Sequence, residues 1–415
     1  MKRNILIIAL AFLVFQLNAQ NGSINAHINR LNAVSTAVPF LIIAPDARAG
    51  ALGDAGVSSS PDPCSMHWNP AKFAFIDKGF GVEISYAPWL RKLTNDINLA
   101  NLSLFYRINK RQVVAASLTY FSLGNITFTD EIGNTTGTFK PNEFAVDASY
   151  SFKFTDYFSG AIAFRYIYSN LTGGAYVAGA ATKPGQSVAA DIAIFYSKPL
   201  KFKTKGDALF NFGLNISNIG AKISYSDNLD RDFLPTNLRF GPSLTYNFDK
   251  YNSLTAMIDI NKLLVPTTPI YKTDSTGKFV RDANGTLIIE SGKNPNVSPV
   301  QGMLQSFYDA PGGFSEEMKE FYYGFGLEYW YDKQFSVRAG YFLENKYKGN
   351  RKYFTVGAGL RYSVFGLDFS YLIPTGDAHN PLENTLRFSL LFNFDSFKKG
   401  AKGNDDNDKS PIRKD

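Results

Sequence analysis

From residue 79 onward the chain alternates with a period of two, and the two faces of that alternation differ in an unusual way. Phe158, Gly160, Ile162, Phe164, Tyr166 and Tyr168 share one face, while Ser159, Ala161, Ala163, Arg165, Ile167 and Ser169 share the other. The same pattern returns near the end, where Leu386, Phe388, Leu390, Phe392 and Phe394 oppose Arg387, Ser389, Leu391 and Asn393. Period two means strands, since successive side chains of a strand point to opposite sides. A soluble sandwich also alternates, but its outer face is charged and rich in lysine. Here the second face is Ser, Asn, Gly and Ala with about one ionisable group per strand, which suits a confined polar lumen behind a lipid-facing apolar wall.

About 14 such segments follow one another, near 80–88, 99–109, 111–121, 143–153, 157–169, 187–197, 207–218, 237–248, 252–262, 321–332, 335–344, 352–363, 365–373 and 385–394. Tight turns at Asn109-Lys110, Thr155-Asp156, Asp249-Lys250, Asp332-Lys333 and Val364 alternate with longer junctions at 122–142, 170–186, 219–236 and 263–320. An even strand count with short turns at one end and long loops at the other is the pattern of a bacterial outer-membrane barrel. It predicts an all-β transmembrane antiparallel barrel, with both termini periplasmic and the long loops extracellular. Composition agrees: 36 Phe, 23 Tyr and 34 Gly stand beside a mean hydropathy of only -0.15. No run approaches the roughly 20 apolar residues that a spanning helix needs.

The ends read as processing and tail segments. Lys2 and Arg3, the apolar run from Ile5 to Phe15, and Leu17-Asn18-Ala19 form a signal-peptide pattern, cut after Ala19 or Gln20. The expected domains are a signal peptide at 1–20, an N-terminal segment at 21–79, the barrel at 80–396 and a charged, disordered tail at 397–415. Asp405-Asp406-Asn407-Asp408 in that tail lacks the spacing and the distal Glu of a calcium loop. The formal charge of +7 falls to +5 without Lys2 and Arg3 and does not point to nucleic acid. It is compatible with lipopolysaccharide phosphates or simply with a solvated surface.

Enzymatic and metal chemistry find little to build on. The chain has 3 His and 1 Cys. His27 lies in the N-terminal segment, His67 before the barrel and His379, near Asp377, in the last long loop, with no serine nucleophile motif beside it. No Cys/His spacing suggests a zinc site, and Cys64 has no partner for a disulfide. Gly50 to Gly56 is followed by no Lys-Ser/Thr, so it is not a phosphate loop. The ionisable positions on the small face are Glu83, Arg107, Asp147, Arg165, Asp191, Arg239, Asp259, Glu328, Arg338 and Arg361, with Asp368 and Arg387 beyond them. Signs nearly balance, which fits a structural ion-pair network or a polar path through a wet lumen.

Residues 40–75 do not alternate. Pro45 is placed to start a short helix with Asp46 in its first turn, and Ala47 to Gly56 is almost entirely Ala and Gly, with Arg48 as a lone cation. Gly50, Gly53 and Asp54 belong to this run of small residues, which lets backbone pack closely. Asn69 and Pro70 read as an N-cap and the first position of a second short helix, Ala71 to Phe75. A free periplasmic linker would expose Phe40 to Ile43 and Trp68. The expectation is therefore a hatch that fills the lumen, with Arg48 paired to a luminal acid.

Two stretches, APDARAGALGDAGV at Ala44–Val57 and SPDPCSMHWNPAKFAF at Ser60–Phe75, resemble the N-terminal signature of the FadL-like outer-membrane barrels. Asp46-Ala47-Arg48, and Lys72 after Asn69-Pro70-Ala71, resemble the PorV family of the type IX secretion system in particular. That resemblance implies a barrel without enzymatic activity or cofactor. It also implies partners: the SprA (Sov) translocon, the PorU sortase, and secreted proteins with a type IX C-terminal domain that become anchored to lipopolysaccharide. The 263–320 loop, with Leu287, Ile288, Ile289, Met303, Leu304, Phe307 and Tyr308, is the candidate docking element, though packing over the barrel mouth would explain the same residues. The rival is a FadL-type transporter of hydrophobic small molecules. It predicts an apolar pocket under the long loops and a lateral irregularity, for which Pro242 is the candidate, although a bulge or an edge would equally account for a proline there.

Overall fold

The alternation closes on itself. In the computed structural model, which describes residues 31–89, 96–129, 132–174, 176–177, 180–201, 206–226, 231–375 and 385–395, 14 antiparallel strands form one closed barrel. In chain order they are β1 (Phe80–Pro88), β2 (Ile97–Arg107), β3 (Gln112–Leu123), β4 (Asn142–Lys153), β5 (Phe158–Asn170), β6 (Gly185–Lys201) and β7 (Asp207–Gly220). The ring continues with β8 (Asn237–Asn247), β9 (Asn252–Leu263), β10 (Tyr322–Tyr331), β11 (Phe335–Leu343), β12 (Lys352–Tyr362), β13 (Phe365–Pro374) and β14 (Leu386–Phe394). Neighbours in sequence are neighbours in the sheet, and β1 pairs with β14 from Phe80↔Phe394 to Tyr86↔Phe388. Closure leaves no unpaired edge, as a sheet in lipid requires. The signal peptide, His27, His379 with Asp377, and the tail all lie outside the described residues.

The faces sort as the alternation requires. On β5, Ile162, Phe164 and Tyr166 are exposed on the outer wall, whereas Ser159, Ala163, Arg165, Ile167 and Ser169 are buried. Pro242 points outward on β8. The β8–β9 ladder skips Gly241 and Pro242, then resumes in unchanged register, with Phe240↔Ile260 on one side and Ser243↔Met257 on the other. The proline thus removes a ladder hydrogen bond without producing a bulge.

The small inward face has a purpose that alternation does not reveal. It receives the backbone of residues 44–75. Ala47 N donates to Ser389 on β14, Gly53 N to Thr355 on β12, and Gly56 N and Val57 N to Asp259 on β9. Asn211 on β7 and Ser243 on β8 donate to the carbonyl of Ser58, and Asn215 on β7 donates to that of Trp68. Ser151 on β4 and Ser159 on β5 donate to the carbonyls of Pro70 and Ala71. An irregular segment at membrane depth must have its backbone groups satisfied by protein, and these Ser, Thr, Asn and Asp side chains do so around most of the wall.

Close approach also needs glycine. Gly53 has φ +69°, and a Cβ there would lie 2.6 Å from the backbone oxygen of Tyr341. A Cβ on Gly340, opposite, would lie 2.0 Å from Gly53 N.

The chain's path corrects one expectation. Both barrel ends do lie at the short-turn end, where Gly79 N donates to Phe394 O. Residues 31–37 lie at the other end, however. Asn32 bonds to Tyr347, Thr268 and Glu316, and Ala37 to Phe233. Strand parity fixes where a barrel begins and ends. It does not fix the segment before β1, which runs from the long-loop end through the interior to the short-turn end.

Candidate functional site

Two sets of residues stand out, one inside the ring and one at its long-loop mouth. Inside, the first helix, α1 (Ala47–Gly50), starts two residues later than its Pro45 suggested. Asp46 is its N-cap rather than a first-turn residue, and its carboxylate accepts from Ala49 N at 2.8 Å and from Trp68 Nε1 at 2.7 Å. An Asp at this position satisfies a helix-start N–H that otherwise has no partner. The second short helix, α2 (Ser65–Trp68), ends at Asn69, whose side chain then caps a 3-10 turn over Pro70–Phe75 by accepting from Ala71 N at 3.0 Å.

Arg48 reaches the wall. It donates to Glu328 from Nε at 2.9 Å and from Nη2 at 2.7 Å, and to Asp62 at 2.9 Å. Glu328 also takes Arg338 at 2.8 Å, Arg338 takes Asp368 at 2.8 Å, and Asp368 takes Arg361 at 2.6 Å. A second group joins Arg165 to Asp147, Asn218 and Asp191. Arg239 donates to Asn261 at 2.8 Å and lies 4.4 Å over the Trp68 ring. Asp54 accepts from the Tyr353 hydroxyl at 2.6 Å. Gly50 leaves room for the Arg387 side chain. Arg107 belongs to neither group. It is half-buried at the short-turn end and donates to the carbonyls of Asn109 and Asp77. Its strand position has the right parity but lies beyond the enclosed part of the barrel.

At the mouth, the 263–320 loop folds on itself. Ile289–Ser291 pairs with Ile270–Tyr271, and α3 (Pro299–Gln305) starts with Ser298 as N-cap and Pro299 at its first position. Leu287, Ile288, Ile289 and Met303 are half-buried. Leu304 and Tyr308 are 64% and 58% exposed, and Phe307 is exposed as well. Val300, Phe314 and Met318 extend this apolar ridge. Their spacing gave no sign of it, because these residues come from α3, the turn after it, α4 (Phe314–Glu317) and the residue that follows α4.

A buried charge cluster holds the loop's base. Lys262 on β9 pairs with Glu317 at 3.2 Å and with Glu320, and Lys348 pairs with Glu316 at 2.6 Å and Glu320 at 2.9 Å. Thr267 donates its hydroxyl to Glu320 and its N–H to Asp309. Burial and the neighbouring Glu317 push the Asp309 carboxyl up to about 6. Burial raises Glu317 too. Burial also works to raise Glu320, but Lys262 and Lys348 outweigh it and hold that group below the usual range. None of these pairs is local in sequence, so no motif announced them.

Beneath this cluster lies a cavity of about 340 Å³ that mixes Val34, Pro39, Ile42 and Leu263 with Glu320, Glu344, Lys348 and Arg351. A predominantly apolar groove lies elsewhere, on the outer wall around Pro242, Ala256, Phe325 and Tyr341.

A family model described as Type IX secretion system protein PorV matches residues 25–270. No curated protein matches the chain. Among solved structures the chain is similar to the toluene transporter TbuX of Ralstonia pickettii, at 12% identity over 85% of this chain and 98% of that one, with a TM-score of 0.47. It is similar as well to a Pseudomonas aeruginosa FadL homologue, at 14% identity over 88% and 99% with a TM-score of 0.40. The Pseudomonas putida toluene transporter TodX gives 10% identity over 87% and 98%, with a TM-score of 0.44.

Proposed function

Because the chain belongs to the PorV family of type IX secretion system proteins, we propose that this outer-membrane barrel receives secreted proteins carrying a C-terminal secretion domain at the SprA (Sov) translocon and passes them to the PorU sortase at the surface. The work is done by binding, without enzymatic chemistry. The long-loop end faces outward in this reading, and the short turns face the periplasm. Residues 44–75 act as a fixed hatch, so cargo is handled at the mouth and not threaded through the lumen.

One observation carries the reading. Val300, Leu304, Phe307, Tyr308, Phe314 and Met318 form an exposed apolar ridge on a loop whose base is fixed by buried ion pairs. Six exposed large apolar side chains on one held loop are the kind of surface that an interaction site presents. The mouth cavity, with two acidic and two basic side chains in its lining, suits an apolar solute poorly. The experiment is to replace Leu304 and Phe307 together by Asp in the native host. The expected result is normal barrel insertion with a loss of at least about tenfold in translocon and cargo co-purification, the scale of a two-residue apolar hot spot. Unchanged co-purification and surface delivery would remove the ridge from the account.

A further inference from the structure

The interior holds a donor set that neither ion-pair group uses. Asp46, Cys64 and Glu83 come from three separate places, the N-cap of α1, the residue before α2 and the middle of β1. A carboxylate oxygen of each acid and the Cys64 sulfur all lie within 4.8 Å of one another, and all three residues are buried. Sequence spacing could not show this, because the donors meet only when the segment before β1 is seated against the wall.

The group is chemically unfinished. Glu83 is 1% exposed, its Oε1 accepts from Ser85 at 3.1 Å, and its Oε2 has no hydrogen-bond partner. A buried carboxylate oxygen left without a donor is costly. Each Asp46 oxygen takes one N–H donor and keeps a lone pair. Cys64 does not use its side chain to cap α2; its Sγ donates at 3.8 Å to Asn101 Oδ1 on β2, an oxygen that also accepts from Ser103 Oγ at 2.7 Å. Like-charged donors converge here around one unsatisfied oxygen, which is the arrangement that a cation completes.

The geometry points to a zinc-class divalent cation bound by Cys64 Sγ, Asp46 and Glu83, with Asn101 Oδ1 as the fourth donor. A thiolate among oxygen donors selects a borderline metal over calcium or magnesium. Zinc bonds of about 2.3 Å to sulfur and about 2.0 Å to oxygen would draw the donors inward by roughly 1 Å. Binding releases the Cys64 proton to solvent and leaves a thiolate–metal bond. The ion would tie α1 and the residue before α2 to the barrel wall, in addition to the hydrogen bonds and the Arg48–Glu328 ion pair that already hold the segment.

The test uses the full-length protein purified from native outer membranes without chelator. Metal analysis is expected to give about one zinc per chain, lost in Cys64→Ser and in Glu83→Gln, while both variants keep the heat-modifiable gel mobility of a folded barrel. Reloading the stripped wild-type protein with cobalt is expected to give a thiolate-to-cobalt charge-transfer band, which reports the sulfur ligand independently of either variant. Substoichiometric metal that both variants retain, or cobalt loading without that band, would overturn the site and leave Asp46, Cys64 and Glu83 as packing residues of the interior.

Discussion

The interior and the mouth of this barrel use the same chemistry to opposite ends. Inside, Arg48, Glu328, Arg338, Asp368 and the half-buried Arg361 form a chain of pairs whose members stand mostly on strands. At the mouth, Lys262, Lys348, Glu316, Glu317 and Glu320 form an equally buried cluster, but most of its members stand on loops. Buried pairs are no guide to net stability, since desolvation offsets much of their attraction, whereas losing one partner is always costly. The backbone that carries the charges therefore decides what breaks. An interior defect should be felt by the whole barrel, and a mouth defect by one loop.

The largest effect is expected from Gly53→Val. Its side chain would enter the backbone of Tyr341 at a position with positive φ, so the segment before β1 cannot seat. Protease digestion of folded protein should then cut within residues 44–75, which are protected in the wild type. Next comes Arg48→Ala, which leaves Glu328 with Arg338 as its one arginine and Asp62 with only its Ser65 hydrogen bond, and is expected to cost about 3 kcal/mol in global unfolding measured in denaturant. Lys348→Ala should leave that global transition in place but expose the 263–320 loop to protease, because Glu316, which loses its lysine, and Glu320, which keeps only Lys262 of its two lysines, belong to the loop base. If Lys348→Ala lowers global stability as much as Arg48→Ala does, the division between the regions fails.

The smallest effect is a pH dependence confined to the mouth. Asp309, at about 6 in the folded loop, lies above its ordinary value, so the packed loop favours the protonated form. Stability from this group is gained as pH falls from about 7 toward about 5 and is lost as pH rises through about 6. Hydrogen-exchange protection across 263–320, taken relative to the intrinsic exchange rate at each pH, should be higher at the lower pH, and Asp309→Asn should flatten the difference.

These two regions also mark where the sequence could be read. Strand positions were legible because each of the 14 segments carries its own alternation, and Phe80–Pro88 or Asn252–Leu263 is visible in a local window. The parity of Asp147, Arg165, Asp259 and Glu328 was legible for the same reason. Arg107 was misassigned because parity says nothing of depth along the barrel axis. The task of the small face was not legible either. Ser151 and Ser159 look like lumen lining until the carbonyls of Pro70 and Ala71 are placed against them. The mouth cluster and the grouping of Asp46, Cys64 and Glu83 depend on long-range seating and have no local signature. Leu304, Phe307 and Tyr308 stood out by composition alone, whereas Val300, Phe314 and Met318 needed the folded loop.

The central claim is that the mouth ridge, and not the lumen, meets the secretion partners. Its most direct test is a photo-crosslinking amino acid placed in turn at Leu304, Phe307, Ile288 and Arg239 in the native membrane. The account predicts adducts with the translocon or with cargo from Leu304 and Phe307, weaker or none from half-buried Ile288, and none from luminal Arg239. Adducts with cargo from Arg239, with Leu304 and Phe307 silent, would mean that the lumen is the route and would contradict the account.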